Sequence, residues 1–240
     1  MRRRWIAVLC GGSVMLGLAM AAVLWMSQQP DPDGLSRESR TAIRPVVEAL
    51  ETEKARQAAL PPPTSDRERL ERMGVLDQIG RRALNSVDYS RLPTDERPAA
   101  RAAVWRVLGD NDRALMGELL AMVPPEGWFL KSVYGEQAAA SAFLIVQHSG
   151  PEHWRRFLPV LEPLVAKGEV DGEEYGLMYD RLAVSEGRPQ RYGTQMVCRD
   201  GRWTVDTLED PANVDARRQE MGFRWTMAEY EARFTASPCA

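Results

Sequence analysis

Cysteine and histidine are both scarce in this chain: of 240 residues only three are Cys and two are His. No Cys-x-x-Cys occurs, which removes thiol–disulfide redox catalysis and zinc-ribbon readings. No His-Glu-x-x-His occurs either, and neither His has a partner one helical turn away, so the familiar zinc-protease ligand set is missing. A Gly-x-Ser-x-Gly nucleophile turn and a phosphate-cradling glycine loop are also missing. Lys and Arg are interspersed with Asp and Glu along the whole soluble part, and the net charge is only −3. With no basic stripe and no interleaved aromatics, nucleic acid is excluded as an expected partner. No repeat of solenoid length is present. Neither a cofactor nor a metal is expected from these residues.

Long apolar runs are rare as well, with one exception. Residues 2–4 are arginines, and residues 5–26 contain no charged side chain. About 20 apolar residues in a helix cross the ~30 Å hydrocarbon core of a bilayer. Trp5 and Trp25 bracket the run, where indoles favour the two interfaces. The arginines favour a cytoplasmic N-terminus, so the expectation is a single-pass anchor in the inner (plasma) membrane with a periplasmic soluble part. A cleaved signal peptide with Ala19-Met20-Ala21 at its cleavage site is the alternative. Signal apolar regions usually run ~7–15 residues, and length therefore favours the uncleaved anchor. Outside the anchor, Cys198 and Cys239 either pair in an oxidising compartment or stay as two free thiols, and the sequence leaves both open.

Behind the anchor the periodicity is helical. Residues 36–59 carry Ile43, Val46, Val47 and Leu50 on one stripe, then turn polar nearly all round, which suits a stalk or a loosely docked helix more than a core element. Pro61-Pro62-Pro63 reads as a stiff spacer. Ser65 with Glu68 makes a capping box for a helix that turns Leu70, Met73, Leu76 and Ile79 inward. Asp77 and Arg81 share a face of it. Residues 99–108 and 112–122 read as two helices. Residues 135–149 are apolar nearly all round, the mark of a buried helix. A Trp- and Leu-rich helix follows at 154–167, and Asp171 caps another that runs to Val184. Residues 194–199 and 203–207 read as strands around Asp200-Gly201, a type I′ hairpin signal. Two short helices close the chain, with Gly222 between them. The expected fold is mainly α, a helical bundle with one small β-hairpin plus an N-terminal transmembrane helix. The expected division is anchor 1–26, linker and stalk helix 27–63, and helical domain 64–236.

Polar residues interrupt the apolar helices at chosen places: Gln147, His148, Asp180, Arg181, Gln190, Tyr192, Thr194 and Gln195. Their order, with Gly135, Glu136, Ala138, Tyr175, Gly187, Pro189 and Gly193, gives Q-H, then D-R, then P-Q-x-Y-G-T-Q. On these residues the chain resembles bacterial domain-of-unknown-function family 6624 over roughly its last two-thirds. Phe129, after Gly127-Trp128, departs from the proline of that pattern. The resemblance implies which residues belong together and brings no activity, cofactor or partner.

Burying such groups costs free energy unless they are hydrogen-bonded, so a connected network is expected. One reading makes it a ligand site for a polar or anionic molecule or a protein partner, built from Gln147, His148, Arg181, Gln190, Tyr192 and Gln195. A second makes it a hydrolase centre with His148 as base and Asp77 or Asp180 orienting it. A third makes the network structural only, with Arg181 paired to Asp77 or Glu136 and His148 closing a helix end. Partners expected from the whole chain are the inner membrane, through residues 5–26, and an unknown ligand or protein.

Overall fold

The computed structural model describes residues 34–234 and Cys239. The anchor expected at 1–26 and the linker that follows it lie outside the described residues. No helix among the described residues is long and apolar enough to cross a membrane.

Helix α1 (Arg37–Ala58) starts where the Ser36 side chain accepts from the Ser39 N–H. Its stripe of Ile43, Val46 and Leu50 is buried, together with Leu35, against Val87, Leu92, Ala103, Val104 and Leu108. The stretch expected as linker and stalk thus contains a docked helix, because an apolar stripe gains more from burial than from solvation. The prolines at 61–63 connect α1 to the next helix. Across this connection, Gln57 Nε2 donates to the Arg72 carbonyl at 3.0 Å, and Arg72 Nη1 donates to the Pro61 carbonyl at 2.9 Å.

Helix α2 (Asp66–Ala83) is capped as the sequence predicts: Ser65 Oγ accepts from the Glu68 N–H at 3.2 Å. Glu68 reaches back to the N–H and hydroxyl of Thr64, both at 2.8 Å, and also meets Arg72. Thr64, then Arg72, hold its carboxyl down at about 2.

Helix α3 (Arg97–Met122) is one continuous helix and not the expected pair. Gly109 costs about 1 kcal/mol of helix propensity. The next residues offset it by bonding to α2: Asn111 Nδ2 donates to the Leu76 carbonyl, and Asp112 takes both Nη groups of Arg81.

A one-turn helix, α4 (Lys131–Tyr134), leads into α5 (Glu136–Ser149), the buried rod. Gly150-Pro151 separates α5 from α6 (Pro151–Val165), whose first residue is Pro151 itself. Asp171 caps α7 (Gly172–Ser185) by accepting from the Glu174 N–H at 3.0 Å. Strands β1 (Met196–Arg199) and β2 (Arg202–Val205) pair antiparallel, with Met196 opposite Val205. Asp200 and Gly201 turn the hairpin at φ +52° and +74°, the double positive φ of a type I′ turn. Two short helices, α8 (Val214–Glu220) and α9 (Met227–Phe234), complete the order. Cys198 on β1 is bonded to Cys239 with a Cα–Cα distance of 5.7 Å. Of the two open possibilities for these thiols, the paired one is found.

The fold is therefore mainly helical with one two-stranded hairpin. One apolar cluster lies under α1, the end of α2 and the start of α3. The larger one is built on α5, with Leu70, Met73, Leu119, Trp128, Phe129, Phe157, Leu161 and Met178 around it.

Helices α2 and α5 approach closely at Gly74, where an added Cβ would lie 2.1 Å from Ser141 Oγ and 2.6 Å from its Cβ. The Gly74→Ala variant is expected to lose about 1–3 kcal/mol to overpacking despite better helix propensity. Adding Ser141→Gly should restore most of the loss in urea unfolding. An unchanged midpoint for the single variant would contradict this contact.

Candidate functional site

The polar residues singled out in the sequence separate into two networks. The first gathers at the C-terminal end of α5. Asp77 lies on α2 and is only 1 % exposed. Both of its carboxylate oxygens lie 2.9 Å from Nδ1 of His148, and one accepts from Gln78 Nε2 at 2.6 Å. Arg81, one turn along α2, donates to the Asp77 carbonyl at 3.0 Å and stands 3.6 Å from its carboxylate. The same guanidinium makes a two-pronged bond to Asp112, at 2.9 and 2.7 Å. One guanidinium thus bridges two buried carboxylates from different helices.

His148 sits in the last turn of α5 with its ring oriented by Asp77. Its side chain is 18 % exposed. Nε2 makes no hydrogen bond to a described residue and is not among the sealed, unpartnered atoms. The Gln147 carbonyl accepts from Trp154 Nε1 at 3.1 Å and from Arg181 Nη1 at 3.2 Å. The Arg181 guanidinium also lies 5.9 Å from the centre of the Trp154 ring. Among the described residues Arg181 has no carboxylate partner, so the expected pairing with Asp77 or Glu136 is not made. Burial, then repulsion from Arg81, pushes its pKa down.

The second network surrounds Asp180, which is fully buried. Helix α7 directs this carboxylate at the loop that follows. There it accepts from the backbone N–H of Arg191 at 2.7 Å, Tyr192 at 3.1 Å and Thr194 at 2.9 Å. Burial pushes its carboxyl above the ordinary range, and these N–H groups pull it back. Gly193, at φ +71°, lets three N–H groups converge in so few residues. Gln190 is fully buried and bonds head to tail with residue 195: its Nε2 donates to the Gln195 carbonyl, and its Oε1 accepts the Gln195 N–H. The Gln195 side chain donates to Thr194 Oγ1. Arg218 and Tyr230 fasten the loop from outside, at the carbonyls of Tyr192 and Thr194.

Asp180 therefore serves the loop and makes no contact with His148. Gln190 is committed to the Gln195 backbone, and the Gln195 side chain to Thr194. Tyr192 turns away from His148, stacking on Phe223 with ring centres 5.5 Å apart. Of the six residues expected to hold a ligand, only Gln147, His148 and Arg181 share one place, and Asp77 is the aspartate that orients the imidazole. Sequence reading passed over Asp112 as a partner of Arg81. Its signal is visible: it occupies the apolar stripe of α3 between Leu108 and Leu115, where a carboxylate needs a partner. Three or more His, Cys, Asp or Glu side chains able to hold a metal are not found together among the described residues.

Residues 98–234, more than half of the chain, match the model of a family of unknown function, DUF6624, and the chain belongs to that family. No curated protein and no solved structure matches it.

One further acid is displaced. Glu174 opens α7, and burial, then Asp171, raises its carboxyl to about 7. Glu136 and Glu173 push the same way, and Lys131 opposes them. Because the folded value exceeds the ordinary one of 4.5, stability is full below that pH and falls as pH rises through about 7. Glu174→Gln is expected to stabilise the domain by on the order of 2 kcal/mol at alkaline pH and not at all below pH ~4.5, in melts run across pH. Asp180→Ala leaves three buried N–H groups unmet and is expected to cost about 3 kcal/mol or more, with loss of ordered amide signals from 190–195. If those signals persist in a stable variant, the loop does not depend on the carboxylate.

Proposed function

We propose that this domain binds an anionic group, a carboxylate or a phosphate, at the C-terminal end of α5 between Arg181 and His148. The observation that carries the reading is Arg181: a half-buried guanidinium, repelled by Arg81 and without a carboxylate among the described residues. A guanidinium in this position gains more from an incoming anion than a solvated one does, because it has already lost water. His148 supplies a second donor: with Nδ1 on Asp77, protonated Nε2 is oriented outward for the same ligand.

The domain is held on the outer face of the inner membrane by a single-pass anchor. Residues 2–4 and the uncharged run 5–26 support this, and so does the Cys198–Cys239 bond, which suits an oxidising compartment. The Asp77–His148 pair also favours a second reading, a hydrolase in which neutral Nε2 takes a proton from water while Asp77 holds the ring. The two differ in what the substitution His148→Gln removes: turnover is lost in the second, and only part of the affinity in the first.

With two histidines in the chain, imidazole NMR signals of the full-length protein resolve His148 from His153. Adding inorganic phosphate is expected to shift the His148 signal saturably, since a bound anion changes the surroundings of the ring. Arg181→Met should weaken this response about tenfold or more. An equal response in that variant, or none in the wild type, would remove Arg181 from the reading.

A further inference from the structure

A cleft of about 250 Å³ lies on the far side of α7 from Arg181, between α6, α7, the 190–195 loop and α8. Its wall holds three tyrosines, of which Tyr175 and Tyr192 are 4 % and 5 % exposed. Both line the cleft, and their hydroxyls make no hydrogen bond to a described residue. Tyr179 lies near Arg191 and Arg188. Phenols this deeply buried ordinarily find a partner.

The lining carries charge of both signs. Arg191 is the available cation, with its nearest carboxylate, Glu209, at a loose 3.9 Å. The other lining guanidinium, Arg217, is spent on the Arg191 carbonyl and on Asp210. Glu162 on α6 and Glu220 on α8 supply the anions. Glu162 stands near enough to add to what burial does first, raising the pKa of both Tyr175 and Tyr192.

We infer that this cleft is a second ligand site, for a small zwitterion of the amino-acid class: the carboxylate meets Arg191 and the phenol hydroxyls, and the ammonium meets Glu162 and Glu220. A multiply charged anion would be repelled by the two carboxylates, and a neutral sugar would leave charges of both signs desolvated and unmet. The volume holds about eight waters' worth of liquid, which matches a free amino acid and is too small for a drug-sized molecule. The aromatic walls supply faces for an apolar side chain, and the hydroxyls fix orientation.

Titration calorimetry on the full chain with each common amino acid, in turn, tests this. At least one is expected to bind saturably at or below about 1 mM. Its N-acetyl and carboxamide derivatives should each bind about tenfold more weakly or worse, as should the free amino acid to the surface variants Glu162→Gln and Arg191→Met. Tyr175→Phe, which removes only a hydroxyl, should weaken binding while leaving the melt unchanged. Arg181→Met should leave amino-acid binding intact, which separates this site from the one at α5. Absence of saturable binding by any amino acid would overturn the inference. So would equal binding of the N-acetyl form, because that would make the cleft an anion site only.

Discussion

A carboxylate withdrawn from water has to be met by donors or cations, and two aspartates impose that demand on this fold. Asp77 and Asp180 are both essentially inaccessible to solvent. Leaving either unmet in a low-dielectric interior costs several kcal/mol, a large share of the net stability of a domain this size. The chain around each is shaped to supply what it lacks. For Asp180 that shape is a loop coiled so that three peptide N–H groups point inward. For Asp77 it is the register of α2 against α5, which brings the His148 imidazole to it, beside Arg81 one turn along α2 itself.

The two solutions differ in what they leave over. Peptide dipoles meet Asp180 without adding a titratable group, and the Gln190 side chain closes on the Gln195 backbone, so the carboxylate itself is spent on holding the loop. Asp77 is met by side chains that carry charge of their own. Arg81 is shared with Asp112, and the positive charge of Arg181 has no carboxylate counterpart among the described residues. The first arrangement fixes a shape and the second retains unused binding capacity, which is why the proposed anion site belongs to the second.

Helix α7 divides these environments. Successive residues on a helix point about 100° apart. Asp180 faces the loop, Arg181 faces the end of α5, and Tyr175 with Tyr179, one turn apart, face the cleft beside α6 and α8. One short helix thus serves three surroundings. The Asp-Arg dipeptide carries no mutual ion pair because its two side chains diverge.

Much of the scaffold was legible in the residues. The Ser65 cap, the Asp171 cap, the apolar rod at 136–149 and the Asp200-Gly201 hairpin all follow from local rules, since capping, turn chemistry and helical period depend on neighbours in sequence. The continuity of the helix through Gly109 was misread, and how firmly the 36–59 helix docks was left open, for one reason. Both depend on partners more than ten residues away, in Arg81 and in the 87–108 stretch. The polar residues themselves were also legible, because a His, an Asp or a Gln inside an apolar stripe is visible from spacing alone. Which of them meet was not. Asp77 and His148 are 71 residues apart, and their 2.9 Å contact forms across α2 and α5, which also approach closely at Gly74 and Ser141. Composition determined that buried charges would need partners. The docking of helices distant in sequence decided which partner each received, and left Arg181 without a carboxylate among the described residues.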